Sequence, residues 1–195
     1  MVPRTPLVLA SRSPQRSAIL TQLGIPFDTV APQHEEHDPP DADPVELVRA
    51  HARGKARSVA DRAGRRPVLG VDTTVALGGR IYGKASDPGE AEEMLERLSG
   101  RTHEVVSGLC LVSPTWEELH HVVTRVTFRP LTPRDLARYV SAGEWQGRAG
   151  AYAIQGLGAA LVERIDGDYL NVVGLPASVL VRLLAERYAG VYGFG

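Results

Sequence analysis

Cysteine is almost missing from this chain: Cys110 is the only one in 195 residues. A single thiol cannot close an internal disulfide or build a thiolate metal cluster, so disulfide scaffolds and cysteine-zinc folds are excluded. Long hydrophobic runs are missing too. No apolar stretch approaches the ~20 residues of a membrane-spanning helix, and Met1-Val2-Pro3-Arg4-Thr5-Pro6 lacks a signal-peptide core. We therefore expect a soluble, cytoplasmic protein with no membrane contact. Nor does one sign of charge dominate: 22 basic and 23 acidic side chains leave a formal net charge of −1. That balance argues against gripping nucleic acid through a broad basic surface. Internal repeats, low-complexity segments and the GxxxxGK[ST] phosphate loop are all absent. Gly156-Leu157-Gly158 lacks the third glycine of a dinucleotide fingerprint and precedes a strand pattern, which excludes a Rossmann reading. No Cys or His spacing resembles a zinc site, and Val106-Ser107-Gly108 is no nucleophile elbow.

What is present is an ordinary globular composition, with 43% hydrophobic and 23% charged residues. Its length suits one domain spanning 1–195. Leu7-Val8-Leu9-Ala10 reads as a buried strand turning into a helix at Ser13-Pro14, which ends near Gly24. A short strand from Phe27 to Ala31 leads into a proline-rich, acidic loop. Helices are expected from Pro44 to Ala63, Asp87 to Leu98, Thr132 to Ser141 and from Pro176 onward. Strands are expected at Val68–Leu77, Arg80–Tyr82, Val105–Val112, His121–Phe128 and Ala160–Ile165. Early alternation followed by paired long strands predicts an α/β protein with a mixed sheet and flanking helices.

The neutral total hides two blocks. Six acids and no Lys or Arg lie between Glu35 and Glu46, and seven basic residues with one acid lie between Arg49 and Arg66. Either two solvated surfaces adjoin, or an anion and a cation are bound together. Three positions break local rules in ways that bear on the choice.

Four helix starts share a capping residue followed by proline: Ser13-Pro14, Asp43-Pro44, Asp87-Pro88 and Thr132-Pro133. Three carry an acid at the third helical position, Glu46, Glu90 and Asp135, which suits the positive helix end. The first carries Arg16. A cation there is unfavourable unless its side chain swings into solvent or an anion joins it, and in the second case free backbone N–H groups with Ser11, Ser13 and Arg16 would cradle a phosphate. On the long helix, at 100° per residue, Lys55 falls about 20° from Val48, on the apolar edge with Ala52 and Val59. Such a lysine either snorkels or serves a buried anion, while Arg49, Arg53 and Arg57 point outward. In Val68–Val75, alternation puts Asp72 on a face with Val68, Gly70 and Thr74. There a carboxylate could hold a metal, orient a water or be satisfied by turn N–H groups. The Gly78-Gly79 hairpin could return Lys84 toward it. In Arg148–Gly158, small residues would let backbone approach a ligand, and Gln155 could face a base edge.

These residues also carry a resemblance. Leu9-Ala10-Ser11-Arg12-Ser13-Pro14-Gln15-Arg16 resembles the opening SxSPRR signature of the Maf family of nucleotide pyrophosphatases. Gly70-Val71-Asp72-Thr73-Thr74-Val75 with Gly83-Lys84 is similar to its central motif. Gly143-Glu144, Ala149-Gly150-Ala151-Tyr152, Ile154-Gln155-Gly156 and Asn171-Val172-Val173-Gly174-Leu175-Pro176 resemble its C-terminal blocks. The resemblance implies hydrolysis of a nucleoside triphosphate to monophosphate and pyrophosphate with a divalent cation, Mg2+ or else Mn2+ or Co2+. It implies two lobes around a cleft, an inosine triphosphate pyrophosphatase-like fold and a homodimer. By motif position it makes Asp72 the catalytic base. It places Ser11, Ser13, Arg16, Lys55 and Lys84 at the phosphates, and Glu36 with Asp72 at the metal. Thr73 and Gln155 match the subgroup preferring dTTP and UTP, often with modified pyrimidines, whereas Gln15 stands where arginine is usual. The alternative is a non-catalytic nucleotide-binding regulator of cell division and septum formation.

Overall fold

The computed structural model describes residues 6–39 and 42–194. Met1–Thr5 and Asp41, used above in reading the N-terminus and the acidic loop, lie outside the described residues. Fourteen elements follow in order, one of them a 3-10 turn at Gly156–Leu161. The strands are β1 (Leu7–Ala10), β2 (Phe27–Val30), β3 (Val68–Leu77), β4 (Arg80–Tyr82), β5 (Thr102–Ser113), β6 (Trp116–Phe128) and β7 (Val162–Asp166). The helices are α1 (Pro14–Gln22), α2 (Pro44–Ala63), α3 (Pro88–Leu98), α4 (Pro133–Ala142), α5 (Tyr169–Val173) and α6 (Ala177–Arg187). The expected elements are present, with β5 and β6 longer than their apolar runs. The five-residue α5 and the 3-10 turn were not anticipated, being too short to show a period.

One mixed, seven-stranded sheet runs β2-β1-β3-β5-β6-β7, with β4 added to β3. The β1–β2 and β1–β3 pairs are parallel and the remaining pairs antiparallel. Leu69 and Val71 of β3 pack with α1 and α6 on one face, whereas Val68 packs with α2 on the other. Farther along, Val75 joins a third core with α3, α4 and the segment around Tyr152. Two lobes thus share β3 and β5.

Local chemistry explains the helix starts. Asp43 accepts from the N–H groups of Val45 and Glu46, and Asp87 from that of Glu90. Thr132 and Asp135 cap reciprocally. Ser13 makes no side-chain cap bond to its helix. The close seat of α2 needs two glycines. A Cβ at Gly70 would lie 2.2 Å from the Ala52 carbonyl oxygen, and one at Gly108 would lie 2.2 Å from that of Val48. This close fit brings Lys55 within reach of β3.

Candidate active site

The geometry begins with a gap in the sheet. On one edge of β3, β1 pairs as far as Gly70 and β4 pairs from Val75 onward, so residues 71–74 have no strand partner there among the described residues. The chain leaving β1 brings Ser11 to this gap from one side. The antiparallel β4 runs back toward it from the other and is followed by Gly83 and Lys84, the latter bridged to Ala149. Sheets of this kind bind ligands beyond the carboxyl ends of strands where connections diverge, and β1 ends at such a point. A cleft of about 780 Å³ opens there, lined by Ser11, Ser13, Gln15, Arg16, Glu36, Lys55, Asp72, Thr73, Lys84 and Gln155 among others. Every site residue marked in the sequence therefore reaches one cavity, of the size that holds a small-molecule ligand.

The two faces of β3 supply different chemistry. On the α2 face, Lys55 is only 7% exposed and does not snorkel. Its Nζ donates to Asp72 Oδ1 at 2.5 Å and lies 2.6 Å from Glu36 Oε1. Partial burial pushes the Glu36 carboxyl up, but the hydrogen bond and charge of Lys55, aided by Lys84 and His51, hold it below the ordinary value. Arg53 and Arg57 both bond Glu117 on the outer surface, and Arg49 bonds Glu46. The basic block therefore splits into one inward lysine and outward arginines.

On the opposite face, Arg16 is drawn inward. Its Nε donates to the Gly174 carbonyl at 2.9 Å, Nη1 to Ser11 Oγ at 3.2 Å and Nη2 to Thr73 Oγ1 at 3.4 Å. Burial lowers its basicity, countered by the charges of Asp72 and Glu36. Ser11 Oγ also accepts the Ser13 N–H at 3.1 Å, which leaves its own hydrogen to donate. Thr73 Oγ1 meets Ser107 Oγ at 2.8 Å, and Ser13 donates to Gln15 Oε1 at 3.1 Å. A positive helix end, a guanidinium and two hydroxyls are thus assembled beside an opposed carboxylate pair.

The glycine-rich segment lines the cleft through Gly147, Ala149, Ala153 and Gly156, while two of its other glycines answer to packing. A Cβ at Gly150 would meet Val75 at 2.9 Å, and one at Gly158 would meet the Ala153 carbonyl oxygen at 1.8 Å. Chain packing thus requires these glycines, although Ala149 and Gln155 still line the cleft. Glu144 fixes the turn by accepting from the N–H groups of Leu157 and Gly158.

Residues 6–187 match the family model described as Maf-like protein. This chain belongs to the Maf family. It is 47% identical over 180 residues to a Gloeobacter violaceus protein named dTTP/UTP pyrophosphatase, covering 92% of this chain and 95% of that one. A Deinococcus radiodurans protein of the same name is 42% identical over 189 residues, 97% of this chain and 95% of its own. One from Nitratidesulfovibrio vulgaris is 46% identical over 186 residues, 94% and 89% of the respective chains. Ser11, Arg16, Asp72 and Lys84, which lie in the segments that carried the resemblance, all line the cleft at the gap in β3.

Sequence reasoning missed His34, which lines the cleft and bonds His51 at 2.9 Å. The available signal was Gly54, a glycine inside a helix with no turn to explain it. Asn171, marked in the sequence only as part of a C-terminal block, is fully buried, and its amide donates to the Val105 carbonyl and Thr124 Oγ1 at 3.0 Å each and so ties α5 to β5 and β6. Among the described residues no helix is long and apolar enough to cross a membrane, and no three His, Cys, Asp or Glu side chains form a metal cage.

Proposed function

We infer that this protein hydrolyses nucleoside triphosphates to the monophosphate and pyrophosphate, with dTTP, UTP and modified pyrimidine nucleotides as substrates. The observation that carries the reading is the gathering of Lys55, Asp72 and Glu36 on one face of β3 and Ser11, Arg16 and Thr73 on the other, at one unpaired stretch of strand. A triphosphate crossing that stretch meets cations and hydroxyls from both sides. The relatives' names supply the base preference.

Attack at the α-phosphorus needs an oriented water, screened phosphate charge and an in-line leaving group. Asp72 orients the water and takes its proton. Ser11, Ser13 and the N-terminus of α1 bind phosphate oxygens, while Arg16, Lys55 and Lys84 stabilise charge on them. Gln155 offers a donor and an acceptor to the pyrimidine edge. Thr73, bonded to Arg16 and Ser107, fixes the junction between base and phosphates, and Gln15 presents a neutral amide beside it.

Glu36 and Asp72 fit a divalent cation. Their oxygens already converge on one ammonium within 2.6 Å, and Mg2+ prefers one or two carboxylates with phosphate and water completing its shell. Mn2+ or Co2+ would suit the same oxygens. When bound there, the ion supplies charge neutralisation at the phosphates. Lys55 balances the charge of the two acids and lines the same cleft as the phosphate-binding groups. The reading takes residues 1–195 as a single domain working as a cytoplasmic homodimer, without nucleic acid. A screen of all common nucleotides with Mg2+, scoring monophosphate and pyrophosphate together, tests it. Equal yields of both products, highest for dTTP and UTP, are expected. Nucleotide binding without turnover of any of them would overturn it.

A further inference from the structure

Residues 31–38 run back along α2, touching it at successive points. The Ala31 carbonyl accepts from Arg62, and the Gln33 N–H donates to Ser58 Oγ at 3.1 Å. His34 Nε2 lies 2.9 Å from His51 Nδ1, Glu36 reaches Lys55, and Asp38 Oδ1 lies 2.8 Å from His51 Nε2. Residues 34, 36 and 38 therefore all face the helix, and Glu36 sits between two anchors that share His51. His51 is buried, at 5% exposure, so its ring is a fixed post rather than a surface contact. The His34 ring has its seat because residue 54 has no side chain. A Cβ there would lie 2.4 Å from both Cε1 and Nδ1 of His34 and 2.8 Å from Cγ. Glycine inside a helix is unfavourable on its own account, and this contact explains it.

We propose that His34, His51 and Asp38, seated on Gly54, clamp this strap onto α2 and so set the position of the Glu36 carboxylate at the Lys55–Asp72 pair. His34, His51 and Gly54 are then positioning residues for the acidic end of the cleft. The catalytic consequence rests on the pyrophosphatase reading above, whereas the clamp itself does not.

Gly54→Ala tests it, because alanine favours the helix while its methyl evicts the His34 ring. In the nucleotide-free protein, amide exchange at residues 33–38 should rise at least ~10-fold with the melting temperature kept or raised. Turnover should fall ~10-fold or more, and the Mg2+ concentration for half-maximal rate should rise. The variants His34→Ala and His34→Ala/Gly54→Ala should match each other within about twofold, since both remove the same anchor. Unchanged exchange in Gly54→Ala would overturn the clamp. Raised exchange with wild-type turnover and Mg2+ dependence would overturn its control of Glu36, and losses that multiply in the double variant would overturn the steric route. A wild-type protein inactive on every nucleotide would contradict the pyrophosphatase reading, while the exchange measurement still decides the clamp.

Discussion

Lys55 holds two carboxylates at 2.5 and 2.6 Å while almost wholly buried. Removing one partner of such a group strands the others. Lys55→Met should therefore cost about 2 kcal/mol of stability, less than for a fully buried pair because Glu36 keeps 40% side-chain exposure. Millimolar Mg2+ should restore more stability to this variant than to the wild type, as followed by denaturant titration. His103 poses a different residue-scale problem. It is 1% exposed, bonds Tyr152 through Nε2, and has no hydrogen-bond partner at Nδ1 among the described residues. Burial lowers its pKa to about 4 from 6.5. A base depressed in the folded state takes up its proton more readily when unfolded, so stability is full above pH 6.5 and falls as pH drops toward 4. The loss should approach roughly 3 kcal/mol. His103→Phe should flatten that part of the stability curve, and an unchanged slope would contradict the assignment.

At the scale of elements, β3 and α2 decide the site. Gly70 and Gly108 let α2 approach until Lys55 meets Asp72, so Gly70→Ala should push the helix outward. Overpacking of this kind costs about 3 kcal/mol, and turnover should fall further than stability alone explains. What the sequence revealed follows the range of the forces involved. The caps at Asp43, Asp87 and Thr132 were legible because a cap is made within four residues. Arg16 and Lys55 were legible as conflicts with their own helices, and Asp72 through its small neighbours. The strap was not legible, because His34 meets His51 and Gly54 only after the chain folds back on α2. The purpose of Gly150 was hidden for the same reason: the atoms that exclude its Cβ belong to Val75. Family resemblance placed Glu36 with Asp72, which composition and periodicity did not.

For the whole molecule, the cleft lies where two cores share a sheet, and residues drawn from Ser11 to Gly174 line it. Binding should stabilise the fold as one unit. With dTTP at about 100 times its Kd, the gain should be near 2.7 kcal/mol, read as a raised melting temperature. Asp72→Asn is the suitable protein for that titration, because it should retain nucleotide without consuming it. The same variant tests the central claim, that Asp72 at the gap in β3 activates the attacking water. Single-turnover release of pyrophosphate from dTTP with Mg2+ should be at least ~100-fold slower in Asp72→Asn than in the wild type, with folding and nucleotide binding intact. Release at the wild-type rate would contradict it.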